Sequence, residues 1–332
     1  MNKRISSIEF LRFVFMSIIV VWHSFGQTFF KHGYLPVDFF FILSGVFIYD
    51  AVTRKNIPPP LPSEFTIRKI RKFLPKYLIS FVFAFFVIIL FRNWFYDYSL
   101  VDAMSIFRTI SELFMLQEVG LFPRGINGPV WYLSVLIVGG GLLYAFAYNF
   151  KRFLSCIAPC IVLFGYTFLV NVTNGNFDEF YTVEFMRLPL LRGLCGMSLG
   201  MLIGALSKKQ DLIKRQIIID ILCLLSFGGI IYCLCSTANW DIYFCLFSAI
   251  VIFSCLIPNS LINKVVHQDF FNRLGNIAFD MLLLHFPVNI LWYHSIGIHL
   301  PSQMSVLLCL IVNVIMAWLF NFLVKRMNLN LL

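Results

Sequence analysis

Charge is what this sequence lacks. Only 13% of its 332 residues are Asp, Glu, Lys or Arg, roughly half the ~25% of an ordinary soluble domain, so most of a water-facing surface is missing. Its length alone suggests two soluble domains. No polar stretch is long enough to build a second one, and the chain is expected to form a single domain over residues 1–332. Metal-type cysteine spacing is missing too. The nine cysteines lie mostly inside apolar segments, where a thiol behaves as a small buried hydrophobe. Cys233-Leu234-Cys235 is too tightly spaced for a zinc pair, so no metal is expected. No small-residue cleavage site follows the first apolar stretch, which therefore reads as a retained first helix. A continuous basic stripe is also absent. The net charge of +10 comes in short clusters between apolar runs, a pattern of membrane topology rather than of nucleic-acid binding.

What is present is hydrophobic: 60% of residues, 39 of them Phe. A bilayer core of ~30 Å takes about 20 mainly apolar residues as helix. Ten segments meet that measure, at about 8–26, 35–52, 73–91, 129–148, 153–171, 188–206, 216–236, 242–258, 275–296 and 304–324. The expected fold is all-α, a polytopic bundle of about ten transmembrane helices. Ile57-Pro58-Pro59-Pro60-Leu61-Pro62 reads as a stiff loop, because each proline lacks an N–H and constrains its neighbour. With the N-terminus in the cytoplasm, nineteen Lys and Arg fall inside, and six fall on the outer side: Lys31, Arg92, Arg108, Arg124, Arg187 and Arg192. The remaining one, Arg12, lies within the first helix. The positive-inside rule then predicts both termini in the cytoplasm. Residues 105–122, interrupted by Arg108, Glu112 and Glu118, read as an outer-side re-entrant or interfacial segment.

Ionisable groups inside hydrocarbon are costly and point to function. Helix one carries Glu9, Arg12 and His23. Glu9 and Arg12 are three apart and can pair. Arg12 and His23 are eleven apart, which at ~100° per residue returns them to within about 20° of one face, about 16 Å apart along the axis. Asp38 opens helix two, a short hairpin from His23, where a carboxylate would orient an imidazole and raise its basicity. A helix N-cap is the plainer role for Asp38. His285 is followed by Pro287, which frees backbone carbonyls in the membrane. Asp280, five residues before His285, shares no face with it and reads as packing or an ion-pair partner.

These residues sit in a recognisable order. Glu9-Phe10-Leu11-Arg12 followed by His23 resembles the opening of the acyltransferase-3 family of integral membrane O-acyltransferases. Pro36-Val37-Asp38-Phe39-Phe40 through Leu43-Ser44-Gly45 resembles that family's second signature. Arg68-Lys69-Ile70-Arg71-Lys72 is similar to its basic approach to helix three, Trp131-Tyr132-Leu133-Ser134 to its tryptophan motif, and Leu284-His285-Phe286-Pro287 to its late histidine motif. Leu136 stands where a Glu often follows the tryptophan motif, and Ala278-Phe279 where a serine–tyrosine is usual. No hydrolase-like domain is appended, so the membrane body is expected to act alone.

The resemblance implies transfer of an acyl group, commonly acetyl, from cytoplasmic acyl-CoA to a hydroxyl of a cell-surface glycan or lipid-linked sugar, in the inner (plasma) membrane and with no tightly bound cofactor. The reading of the residues themselves places catalysis on His23, Asp38 and Arg12, with Arg12 meeting the donor and His23 as base or transient acyl carrier. Donor and substrate contacts fall to Arg68, Lys69, Arg71, Lys72, Ser44, Trp131 and His285, the four basic residues holding the donor's phosphates. A transporter or flippase for a sugar-lipid would share the helix count and the intramembrane charges. It would be expected to show paired Gly/Pro-broken segments in two related halves, and no such pair is found here.

Overall fold

The computed structural model describes residues 4–24, 29–54, 58–91, 109–118, 125–209 and 215–327. Among them, ten helices have sixteen residues or more. They are α1 (Ser6–His23), α2 (Pro36–Thr53), α3 (Pro62–Leu90), α4 (Trp131–Asn149) and α5 (Ala158–Thr173), then α6 (Leu188–Leu206), α7 (Gln216–Cys235), α8 (Asp241–Leu256), α9 (Asp269–Ser295) and α10 (Ser302–Arg326). Each falls on one of the ten apolar segments. The fold is all-α, and the one sheet among the described residues is a two-stranded hairpin, Thr182–Val183 with Met186–Arg187. Eight of the helices are long and apolar enough to cross a bilayer: α1, α2, α4, α5, α6, α7, α9 and α10. The apolar α8 is shorter, at 16 residues.

The third helix begins earlier than its apolar run. It opens at Pro62, because proline is tolerated in a first turn, where its missing N–H would go unpaired anyway. The basic residues 68–76 are therefore helical, and their spacing decides which of them face inward. Of the proline-rich stretch, residues 58–61 remain a loop, pinned where the Tyr144 hydroxyl donates to the Pro60 carbonyl (2.7 Å). Ile57 lies outside the described residues.

Small residues set the tightest helix contact. Gly196, Gly200 and Gly204 recur every four residues on α6, a spacing that lets two backbones approach in a membrane, where apolar burial drives little association. A Cβ on Gly200 would lie 1.8 Å from the Ile42 carbonyl oxygen, and one on Gly45 would lie 1.9 Å from that of Met197. The obstructing atoms are backbone, so a side chain here must push α2 and α6 apart. Gly200→Val is expected to cost at least the ~1–3 kcal/mol of an overpacked core. The check is the yield of monodisperse protein in detergent; a normal yield and melting temperature would show that this contact is dispensable.

The segment expected at 105–122 is described over 109–118, and Arg108 lies outside the described residues. Its polar side chains turn into the protein, while Ile110, Leu113, Phe114 and Leu116 stay exposed. Ser111, Glu112, Gln117 and Glu118 are all buried. The Glu118 carboxylate accepts from Arg187 at 2.8 Å, and Glu112 accepts from the Asn127 backbone N–H at 3.1 Å. Burial pushes the Glu112 carboxyl up to about 7, against the hydrogen bonds from Asn127 and Ile126. The two carboxyl groups that break the apolar pattern, Glu112 and Glu118, find partners inside the protein, as buried polar groups must.

Candidate active site

A cavity of about 640 Å³ is enclosed by α1, α2, α3, α4, α9 and α10. Helical periodicity selects its walls. On α1 the lining residues are Glu9, Arg12, Met16, Ile19 and His23, spaced alternately three and four apart, which is one stripe of a helix. On α2 they include Val37, Phe40, Ser44 and Phe47, and on α3 Lys69, Lys72, Phe73 and Lys76. Trp131, Tyr132 and Leu136 of α4 and Ala278, Phe279 and Leu282 of α9 complete the sides. Arg4 at the start of the described residues and Lys325 near their end line the same cavity, at the mouth that also holds Lys69 and Lys72.

That mouth is cationic. Arg12 is paired with Glu9 at 2.8 Å, and Lys76 with the fully buried Asp280 at 2.6 Å, where Asn321 also donates (2.5 Å). The sequence expectation of an ion-pair partner for Asp280 holds. Arg4 donates to the side-chain oxygen of Asn276. Arg4, Lys69, Lys72 and Lys325 form no ion pair among the described residues. Lys69 precedes the apolar part of α3, and its ammonium is lowered to about 8 by burial and by the neighbouring charge of Lys72. Burial and the charges of Arg12 and Arg4 also lower Lys72. Crowded cations of this kind are relieved by an arriving polyanion.

The far pole holds His23. Its Nδ1 lies 3.0 Å from the Ile19 carbonyl oxygen. A carbonyl can only accept, so Nδ1 carries the proton and Nε2 keeps the lone pair of a base. Ser44 Oγ donates to the Phe40 carbonyl (2.7 Å) and is 3.3 Å from the Tyr132 hydroxyl. With its own proton spent, Ser44 accepts from Tyr132.

The structure brings together only part of the set proposed from sequence. Arg12, His23, Lys72, Ser44 and Trp131 all line the cavity. Asp38 does not hydrogen-bond to His23. Its carboxylate takes a two-pronged contact from buried Arg192 of α6, at 2.9 and 2.6 Å. The helix turn explains this: positions 37, 40, 44 and 47 of α2 face the cavity, while 38, 42 and 45 face α6. Arg68 and Arg71 do not line the cavity either. Arg68 is exposed and paired with Glu64 at 3.1 Å, because residues 69, 72 and 76 share the inward stripe and 68 and 71 turn outward. His285 is not a lining residue but stands beside His23, ring centroids 5.1 Å apart.

Lys69 was expected from sequence at the phosphate site, Tyr132 was read only as part of the tryptophan motif, and Lys76 and Arg192 were not given a role. The i, i+3, i+7 spacing of the three lysines was the available signal, whereas nothing in the sequence pairs Arg192 with Asp38 across 154 residues.

A family model described as an acyltransferase domain matches residues 5–322. The chain belongs to the acyltransferase-3 family. No curated protein and no solved structure matches it. This membrane acyltransferase is an O-acyltransferase, and the match reaches into all ten helices, including the six that line the cavity. The three positions where it departs from the family signatures, Leu136, Ala278 and Phe279, all line that cavity.

Proposed function

We propose that the protein moves an acyl group, acetyl in the simplest case, from cytoplasmic acyl-CoA to a hydroxyl of a cell-surface glycan or lipid-linked sugar. The observation that carries this reading is one continuous cavity with a cationic mouth and a histidine at the far pole. Acyl-CoA has the same polarity, with phosphates at one end and the thioester at the end of a long thin arm. The phosphates rest on Arg4, Lys69, Lys72 and Lys325, and the arm runs past Arg12 and Met16 to His23.

The mouth that holds Arg4 and Lys325 faces the cytoplasm, in keeping with nineteen basic residues against six. The ten helices then all cross the plasma membrane. At the far pole His23 Nε2 takes the proton of the acceptor hydroxyl. The oxygen attacks the thioester carbonyl, the C–O bond forms as the C–S bond breaks, and the departing CoA thiolate receives the proton from His23. A base so placed supplies about 10²–10⁴-fold.

The test is transfer of label from acetyl-CoA into envelope glycan by membranes of a strain lacking the native protein. Lys69→Gln with Lys72→Gln is expected to raise the donor KM about 10²–10⁴-fold with kcat little changed, since each charged contact contributes ~1.5–3 kcal/mol in ground and transition states alike. Arg68→Gln with Arg71→Gln should leave the KM unchanged. The sign with pH follows from Lys69, which is charged below about 8 and loses its charge above, so the wild-type KM should climb as pH passes that value. A donor KM indifferent to both lysines would remove the phosphate site from this mouth.

A further inference from the structure

His285 has no role in the transfer as just described, yet it is the group with the least reason to be where it is. It is fully buried in the middle of α9. Its Nδ1 lies 3.0 Å from the carbonyl oxygens of both Met281 and Leu282, so, as in His23, the proton sits on Nδ1 and Nε2 can only accept. That Nε2 is buried without a hydrogen-bond partner. An orphaned polar atom of this kind costs about 1–3 kcal/mol unless something pairs with it during function. The ring beside it is His23, at 5.1 Å between centroids.

The reading of His23 as base creates a need that this nitrogen meets. Once His23 has taken a proton, an imidazolium stands in an apolar pocket, where an unpaired charge is expensive. The carboxylate expected nearby, Asp38, is committed to Arg192. The other charged or titratable groups around the pair are already occupied or of the wrong kind. On α1 itself Arg12 is held by Glu9. Lys76 of α3 is held by Asp280 of α9. Tyr132 of α4 donates to Ser44 of α2, and Cys309 of α10 donates to Asn289.

We infer that His285 is a positioning residue for His23: its unpartnered Nε2 accepts a hydrogen bond from His23 Nε2–H while His23 holds the acceptor's proton. The inference rests on the proposed role of His23 as base. Rotation of the His23 ring about its Cβ–Cγ bond turns the new N–H from the substrate toward α9. The proton count is unchanged: one proton leaves the acceptor oxygen, resides on His23, and passes to the thiolate. His285 Nδ1–H stays on its two carbonyls, while the rotation carries His23 Nδ1–H away from the Ile19 carbonyl until the proton has been passed on.

The experiment compares His285→Leu and His285→Gln in full-length protein in membranes, with acetyl-CoA as donor and envelope glycan as acceptor, across pH. Leucine fills space but cannot accept; the glutamine oxygen accepts but does not titrate. His285→Leu should lose about 100-fold in kcat with the donor KM within about threefold. His23 without its partner is harder to protonate, so the acid limb of the pH profile should move to lower pH, by about one unit. His285→Gln should recover to within about tenfold of wild type, with a smaller displacement of that limb.

Equal losses in both variants with the limb unmoved would make His285 a packing residue and overturn the inference. Should the leucine protein fail to accumulate, the glutamine variant alone decides, since its limb must still move. His23→Ala without transfer, beside His285 variants that behave as wild type, would overturn the pairing and leave the base standing. Retained transfer in His23→Ala overturns both.

Discussion

His23→Ala is expected to abolish measurable acyl transfer, a loss of about 10³-fold or more, in protein that remains folded and in the membrane. The size follows from position and chemistry together. A positioned base is worth about 10²–10⁴-fold, and among the described residues no second imidazole lines the cavity to replace it. His285, the closest histidine, is buried beside it and lies outside the lining. Folding should be spared because His23 is the last residue of α1, and its single backbone contact, to Ile19 of the same helix, holds no other element in place. The measurement is label transferred from acetyl-CoA to glycan at matched protein levels. Near-normal transfer would reduce His23 to a packing residue and leave the cavity without a base.

Arg192→Met should be the most damaging single change to the fold. Arg192 and Asp38 are both buried, and the guanidinium meets both carboxylate oxygens while also donating to the Phe177 and Tyr34 carbonyls. Removing one partner strands the other's charge in a low-dielectric interior, a cost of about 3–5 kcal/mol. Asp38→Leu should do similar harm by stranding Arg192. The informative protein is the double variant, Asp38→Leu with Arg192→Met. Replacing both members of a buried pair with apolar groups of similar size is often neutral or stabilising, so the double variant should accumulate and melt near wild type. It also separates two roles for Asp38. Restored folding with normal transfer makes the carboxylate structural; restored folding with transfer still absent returns it to the chemistry.

The residues a helix repeat can reach were legible in the sequence. Eleven residues between Arg12 and His23 bring a helix back to one face, and both indeed line the same cavity. The ten apolar runs each became a helix, because a chain with so little charge must satisfy its backbone hydrogen bonds within each segment. The all-α class and the ordered motifs of the acyltransferase-3 family followed from such local patterns. Partners across long separations did not. Asp38 was read beside His23 because the hairpin is short, but a side chain's direction is set by rotation about its own helix. That rotation turned Asp38 toward Arg192, which is far along the sequence. The basic cluster of α3 looked uniform in sequence, and only the helix placed across from it decided that Lys69 and Lys72 face the cavity while Arg68 and Arg71 do not. Periodicity along one helix is a property of the sequence by itself; which face meets which neighbour depends on close contacts such as Gly45 against Met197 and Gly200 against Ile42, and those exist only once the helices have packed.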